Sequence, residues 1–131
     1  MQFFGISPIT ERIFKLENDV NGDVIGPVTE PNMVTPSPTS VLAGDSVQIT
    51  VGLTRIATSI IVPLTYSALD SQGQRVDISN VLSSPPDSIT IVSAISGTIT
   101  VTTLSTSPAA VVTVTAIGTT QSPTGTFTIT T

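Results

Sequence analysis

Residues 88–131 read SITIVSAISGTITVTTLSTSPAAVVTVTAIGTTQSPTGTFTITT, and none of them is charged. Apolar and hydroxyl residues alternate along this stretch. Ile89 and Ile91 are followed by Ile99 and Val101 set between Thr98, Thr100 and Thr102. Val112 and Val114 come next, then Phe127 and Ile129 between Thr126, Thr128 and Thr130. A period of two is that of a strand with one face buried. Gly, Pro and Ser interrupt it at Ser96-Gly97, at 105–108 and at 118–124, and these residues make turns. Strands are therefore expected near 89–92, 98–104, 110–116 and 126–130.

The same period runs upstream. Val47, Ile49, Val51 and Leu53 fall on one face, with Gln48 and Thr50 on the other. Ile60, Val62, Leu64 and Tyr66 share a face of the next strand, and Pro63 within it places that strand at an edge or at a bulge. Asp70-Ser71-Gln72-Gly73 is a tight turn leading to a short strand at 75–78, and Ser83-Ser84-Pro85-Pro86-Asp87 breaks the chain again. About seven short strands separated by turn residues predict an all-β sandwich. With no Cys and no Trp, it lacks the disulfide and core Trp of antibody domains.

The 131 residues suffice for one domain with an appendage. Charged residues are 10% of the chain, well below the usual quarter, and Ser and Thr exceed a quarter, so the surface is hydroxyl rather than ionic. There is no histidine and no cysteine, which removes the commonest general base, zinc ligands and redox thiols. Four Lys and Arg against nine Asp and Glu make no basic patch, so no nucleic-acid partner is expected. No apolar run has the length of a membrane span, so no membrane partner is expected either. The start, Met-Gln-Phe-Phe-Gly-Ile-Ser-Pro, lacks the basic and apolar regions of a secretory signal; this fits the mature form of a secreted protein or a protein made in the cytoplasm, and the initiating Met favours the second.

Residues 1–33 differ from the rest. They hold seven of the 13 charged residues and three of the four Phe, at Phe3, Phe4 and Phe14. Ile9, Ile13 and Leu16 have helical spacing behind Ser7-Pro8, whereas Arg12, Phe14 and Leu16 alternate with Ile13 and Lys15 as in a strand. Asn21-Gly22 favours a hairpin, 12–16 with 23–28. Pro27, Pro31, Pro36 and Pro38 then mark an extended linker. The expected organisation is an arm and linker over 1–33 and a sandwich over 34–131. Adjacent large aromatics either tuck back on the domain or dock on a partner. The arm residues expected to meet a partner are Phe3, Phe4, Ile9, Arg12, Phe14 and Leu16.

The phrase Val34-Thr35-Pro36-Ser37-Pro38-Thr39-Ser40-Val41-Leu42-Ala43-Gly44-Asp45-Ser46-Val47-Gln48-Ile49-Thr50-Val51 resembles the opening of bacterial and phage immunoglobulin-like domains. So do the closing runs 87–91, 98–103, 111–116 and 126–130. The resemblance implies an immunoglobulin-like β-sandwich used as a binding or spacer module, without catalysis and without a cofactor. It carries over no site residues, because the pattern is one of strands and turns.

Candidate chemistry is sparse. Asp19, Asn21 and Asp23 have the spacing that opens a calcium loop, with Glu30 as the downstream carboxylate, but a hairpin turn explains them more simply. Asp70, Asp77 and Asp87 would form a second cation site only if they met at one end of the sandwich. Ser and Thr are plentiful, but no His or placed Lys activates one as a nucleophile. Threonine rows match repetitive surfaces such as ice, yet Thr is also the ordinary polar strand former. The expected function is therefore structural. One form is a phage capsid cement or decoration protein on the outer capsid surface, binding the major capsid protein and itself a dimer or trimer. The alternative is a cell-surface or tail adhesion module for glycan or receptor, which calls for exposed aromatics at one loop end.

Overall fold

The computed structural model describes residues 28–131. Eight strands follow in chain order: β1 (Pro31–Ser37), β2 (Ser40–Leu42), β3 (Ser46–Asp70), β4 (Arg75–Val76), β5 (Leu82–Ser83), β6 (Ser88–Thr103), β7 (Ala110–Ala116) and β8 (Thr124–Thr130). A single 3-10 turn, Ile78–Asn80, lies between β4 and β5, with Asp77 accepting from the Ser79 amide at its start.

β3 organises the sandwich because it belongs to both sheets. Its first part, 46–52, pairs antiparallel with β1 on one side and with 96–102 of β6 on the other. β5 adds only Leu82 and Ser83 beyond β6. Its last part, 64–70, pairs antiparallel with β7, which pairs with β8. β4 flanks this end of β3, and β2 runs parallel to β8. Between the two parts, 57–63 pairs with 88–94 of β6 as a two-stranded ribbon. Pro63 sits at the hand-over. It is the last β3 residue to pair with β6, and its carbonyl accepts from the Ile117 amide. A residue without an N–H falls where the ladder changes partner, as a proline in a strand should.

The alternation fixes the core. Val47, Ile49, Val51, Leu53, Val62, Leu64, Ile89, Ile91, Val101, Val112, Val114, Phe127 and Ile129 are buried, as their positions in the sequence predict. Tyr66 and Ile99 are partly buried against them.

Three expectations change. The chain does not turn at Ser96-Gly97, because β6 runs through from Ser88 to Thr103. The pairing register shifts between Gly52 and Ala57 instead, so β3 bulges opposite a short stretch of β6. Ser93, just before that stretch, takes a left-handed φ of 50°. Gly97 makes the bend possible: a Cβ there would stand 2.9 Å from Ile91 Cγ1 and 3.1 Å from Ile89 Cδ1. The two Ile side chains fold onto the strand that follows them. The short strand expected at 75–78 pairs only through Arg75 and Val76 before the 3-10 turn.

At the other end, residues expected in the linker are in a strand. Pairing begins at Pro31, and Pro31 and Pro36 lie in β1, at the edge of its sheet. An edge strand uses one ladder, so a proline there need cost no sheet hydrogen bond. Phe3, Phe4, Ile9, Arg12, Phe14, Leu16 and the Asp19–Asn21–Asp23 loop lie outside the described residues.

Candidate functional site

Of the residues proposed from the sequence as cation ligands, Glu30, Asp70 and Asp77 are engaged in other hydrogen bonds. Glu30, just before β1, is buried with 5% of its surface exposed. Its Oε1 accepts the Thr120 amide at 2.7 Å and the Gln121 amide at 3.3 Å, and its Oε2 is bonded by the Thr120 hydroxyl. These donors, the Thr120 hydroxyl first and its amide second, hold the carboxyl below its ordinary value against the opposing effect of desolvation. The carboxylate clamps the 117–123 loop to the chain where residues 1–27 join the sandwich. Thr54 completes the joint. Its hydroxyl donates to the Val28 carbonyl at 2.8 Å and accepts the Glu30 amide at 3.2 Å.

Asp70 spends Oδ1 on the Gln72 and Gln74 amides of its own turn, at 2.9 and 2.8 Å. Asp77 accepts from the Ser79 amide and hydroxyl, both at 3.1 Å. The three aspartates do not converge, and no group of three or more acidic, His or Cys residues is placed to hold a metal among the described residues.

Among the described residues, two surface hollows are candidates. One, of about 390 Å³, is lined by Asp70, Ala110, Val111, Thr128, Ile129 and neighbours at the end of β7 and β8. Its one ionisable side chain, Asp70, is already committed to its turn. The other, of about 470 Å³, lies among Tyr66, Ser67, Arg75, Val76, Asp77 and Ile78. The Tyr66 hydroxyl is occupied, donating to the Pro86 carbonyl at 2.8 Å. Burial, with the charge of Asp87 nearby, pushes its pKa up to about 12, so it stays protonated and serves as a donor.

The outer faces are the remaining candidates. Ser46, Gln48 and Thr50 of β3 stand opposite Thr102, Thr100 and Thr98 of β6. The Ser46 and Thr102 hydroxyls are 3.1 Å apart, and those of Thr50 and Thr98 are 3.2 Å apart. Two of these three facing pairs thus bond across the sheet. Large apolar side chains are exposed on and beside the ribbon, with Ile56 and Ile95 at the bulge and Ile61 and Val92 on the outer face. Phe127 is fully buried and Tyr66 points into the sandwich, so the described residues present no aromatic cluster at a loop end. No local pattern marks the Glu30 clamp, since its partner lies 90 residues away.

The strand order defines the class. One sheet is β1–β3–β6–β5, and the other is β3–β7–β8 with β4 and β2 at its margins. This is the two-sheet order of an immunoglobulin-like sandwich, with β3 supplying both its second and its third strand. No family model and no curated protein matches the chain. Among solved structures, the chain is similar to the titin M10–obscurin-like 1 Ig complex, at 17% identity and a TM-score of 0.39 over 79% of this chain and 94% of that one. A mutant form of that complex aligns at 15% identity and 0.32, over 79% and 87%. The class rests on the strand order and not on these likenesses.

Proposed function

We propose that this chain is a structural virion protein, a capsid cement or decoration protein. In this proposal the sandwich is held on the outer capsid surface by residues 1–27. The partner is the major capsid protein, and Phe3, Phe4, Ile9, Arg12, Phe14 and Leu16 make the contact. The observation that carries the proposal is a division of labour along the chain. The sandwich offers a hydroxyl surface in which Ser46 pairs with Thr102 and Thr50 with Thr98, and hollows in which Asp70 and the Tyr66 hydroxyl are already hydrogen-bonded. The preceding segment concentrates the aromatics and charges. Glu30 and Thr54 fix the point from which that segment leaves, as an anchor requires.

No catalysis is assigned. An adhesion module for glycan or receptor is the second possibility, and the inward positions of Tyr66 and Phe127 count against it. The test is to mix the purified chain with emptied capsids from the same source and sediment them. Saturable, stoichiometric binding supports the proposal. Absence of binding, or binding to host cell surfaces instead, overturns it.

A further inference from the structure

We infer that the free edge of β6 is a pairing surface for a second copy of this chain, through an antiparallel contact centred on Ile99. The inference rests on the β6 edge alone and goes beyond the virion proposal. The Leu104 amide donates to the Val81 carbonyl, on the β5 side, and the Thr103 amide donates to the Asp45 carbonyl, on the β3 side. Successive residues of a strand point their backbone groups to opposite sides. Thr102, Thr100 and Thr98 therefore direct N–H and C=O away from β3, toward β5. β5 stops after two residues, and only its Ser83 pairs with Thr102. Thr98 and Thr100 have no strand partner on that side among the described residues.

This edge lacks the usual guards against pairing. Residues 88–103 contain no charge and no proline. The other margins differ: β1 carries Pro31 and Pro36, β4 carries Arg75, and β2 is three residues long. A second copy suits the edge because the edge complements itself. With a two-fold axis at Ile99, Thr98 of each copy faces Thr100 of the other. Each such pair exchanges two N–H···O bonds, so the contact uses the backbone groups that β5 leaves free and disturbs no existing pair. The side chains match as well. Thr hydroxyls meet across the outer face, as Thr50 and Thr98 already do, and the partly buried Ile99 meets its own copy on the inner face. No like charges oppose each other along the contact.

The test uses the full chain in sedimentation velocity from micromolar to millimolar concentration, with amide exchange followed by NMR. The inference predicts a monomer–dimer equilibrium in which the Thr98 and Thr100 amides are protected only in the dimer. The pair of substitutions Thr98→Lys and Thr100→Lys puts like charges across the axis and should weaken dimerisation by about tenfold or more. Thr126→Lys with Thr128→Lys, on the exposed face of β8, should leave it unchanged. The melting transition of each variant shows that it is folded. A strict monomer overturns the inference. So does a dimer whose Thr98 and Thr100 amides stay unprotected, or one that survives the first pair of lysines. Amides protected in a monomer mean that the chain's own residues cover the edge, and that overturns it too.

Discussion

Glu30 carries more of the local order than its place before the first strand suggests. Its carboxylate is favoured by donors from Thr120 and Gln121, so its folded pKa lies below its ordinary value of 4.5. A depressed carboxylate pKa contributes stability that is present above the unfolded value and is lost as pH falls through the folded one. Glu30→Gln should therefore lower the urea midpoint at pH 7, and the gap to the native chain should close as pH drops below about 4.5. An equal gap at pH 7 and at acid pH would contradict the clamp. Tyr66 titrates in the opposite direction. Its phenol is held neutral in the fold, so the stability it contributes is complete below pH 10 and is lost as pH rises toward about 12. Absorbance titration should show no phenolate until well above pH 10, and Tyr66→Phe should cost about 1 kcal/mol through the lost bond to the Pro86 carbonyl. Neither role could be read from composition. Glu30 and Thr120 are 90 residues apart, and only the crossing of β1 beside the 117–123 loop joins them. The inward position of Tyr66 was legible from its alternation with Leu64 and Val62, but its acceptor in the Pro85-Pro86 break was not.

Among the elements, β3 and β6 show what alternation can and cannot say. The faces were readable: Val47, Ile49, Val51, Val101, Val112, Val114, Phe127 and Ile129 are buried where a period of two puts them. Continuity was not. Ser96-Gly97 has the residues of a turn, yet Gly97 serves there as the gap into which Ile89 and Ile91 fold. A bend and a turn use the same residue, and only the pairing with β3 distinguishes them. Gly97→Val should disrupt the ribbon, seen as loss of amide protection over 57–63 and 88–94 ahead of the rest of the sandwich. Gly125 in β8 is constrained by a different contact. An added Cβ would overlap the Val34 carbonyl and come within 2.8 Å of Pro36 Cδ, because β1 crosses closely over β8. Gly125→Ala should cost about 1–3 kcal/mol in urea unfolding, through forced separation of two strands. Phe127→Ala, which empties the largest fully buried side chain, should cost about 3–5 kcal/mol.

At the scale of the whole molecule, the chain divides into a sandwich with a hydroxyl-rich, nearly uncharged surface and a preceding segment that holds most of the aromatics. The sandwich was legible because strands and turns write themselves locally in Thr, Val, Ile, Gly and Pro. Its lower boundary is less legible: the prolines read as linker up to 33, whereas β1 begins at Pro31 and the clamp at Glu30. In the proposed function, residues 1–27 act on a surface of another molecule, and no pattern within this chain specifies that surface. In that proposal these residues attach and the sandwich is what they carry. The most direct measurement compares the full chain with residues 28–131 in sedimentation with emptied capsids. The shortened chain should keep a cooperative thermal transition and fail to bind, while the full chain saturates the particles. Equal occupancy by the two chains would contradict the claim.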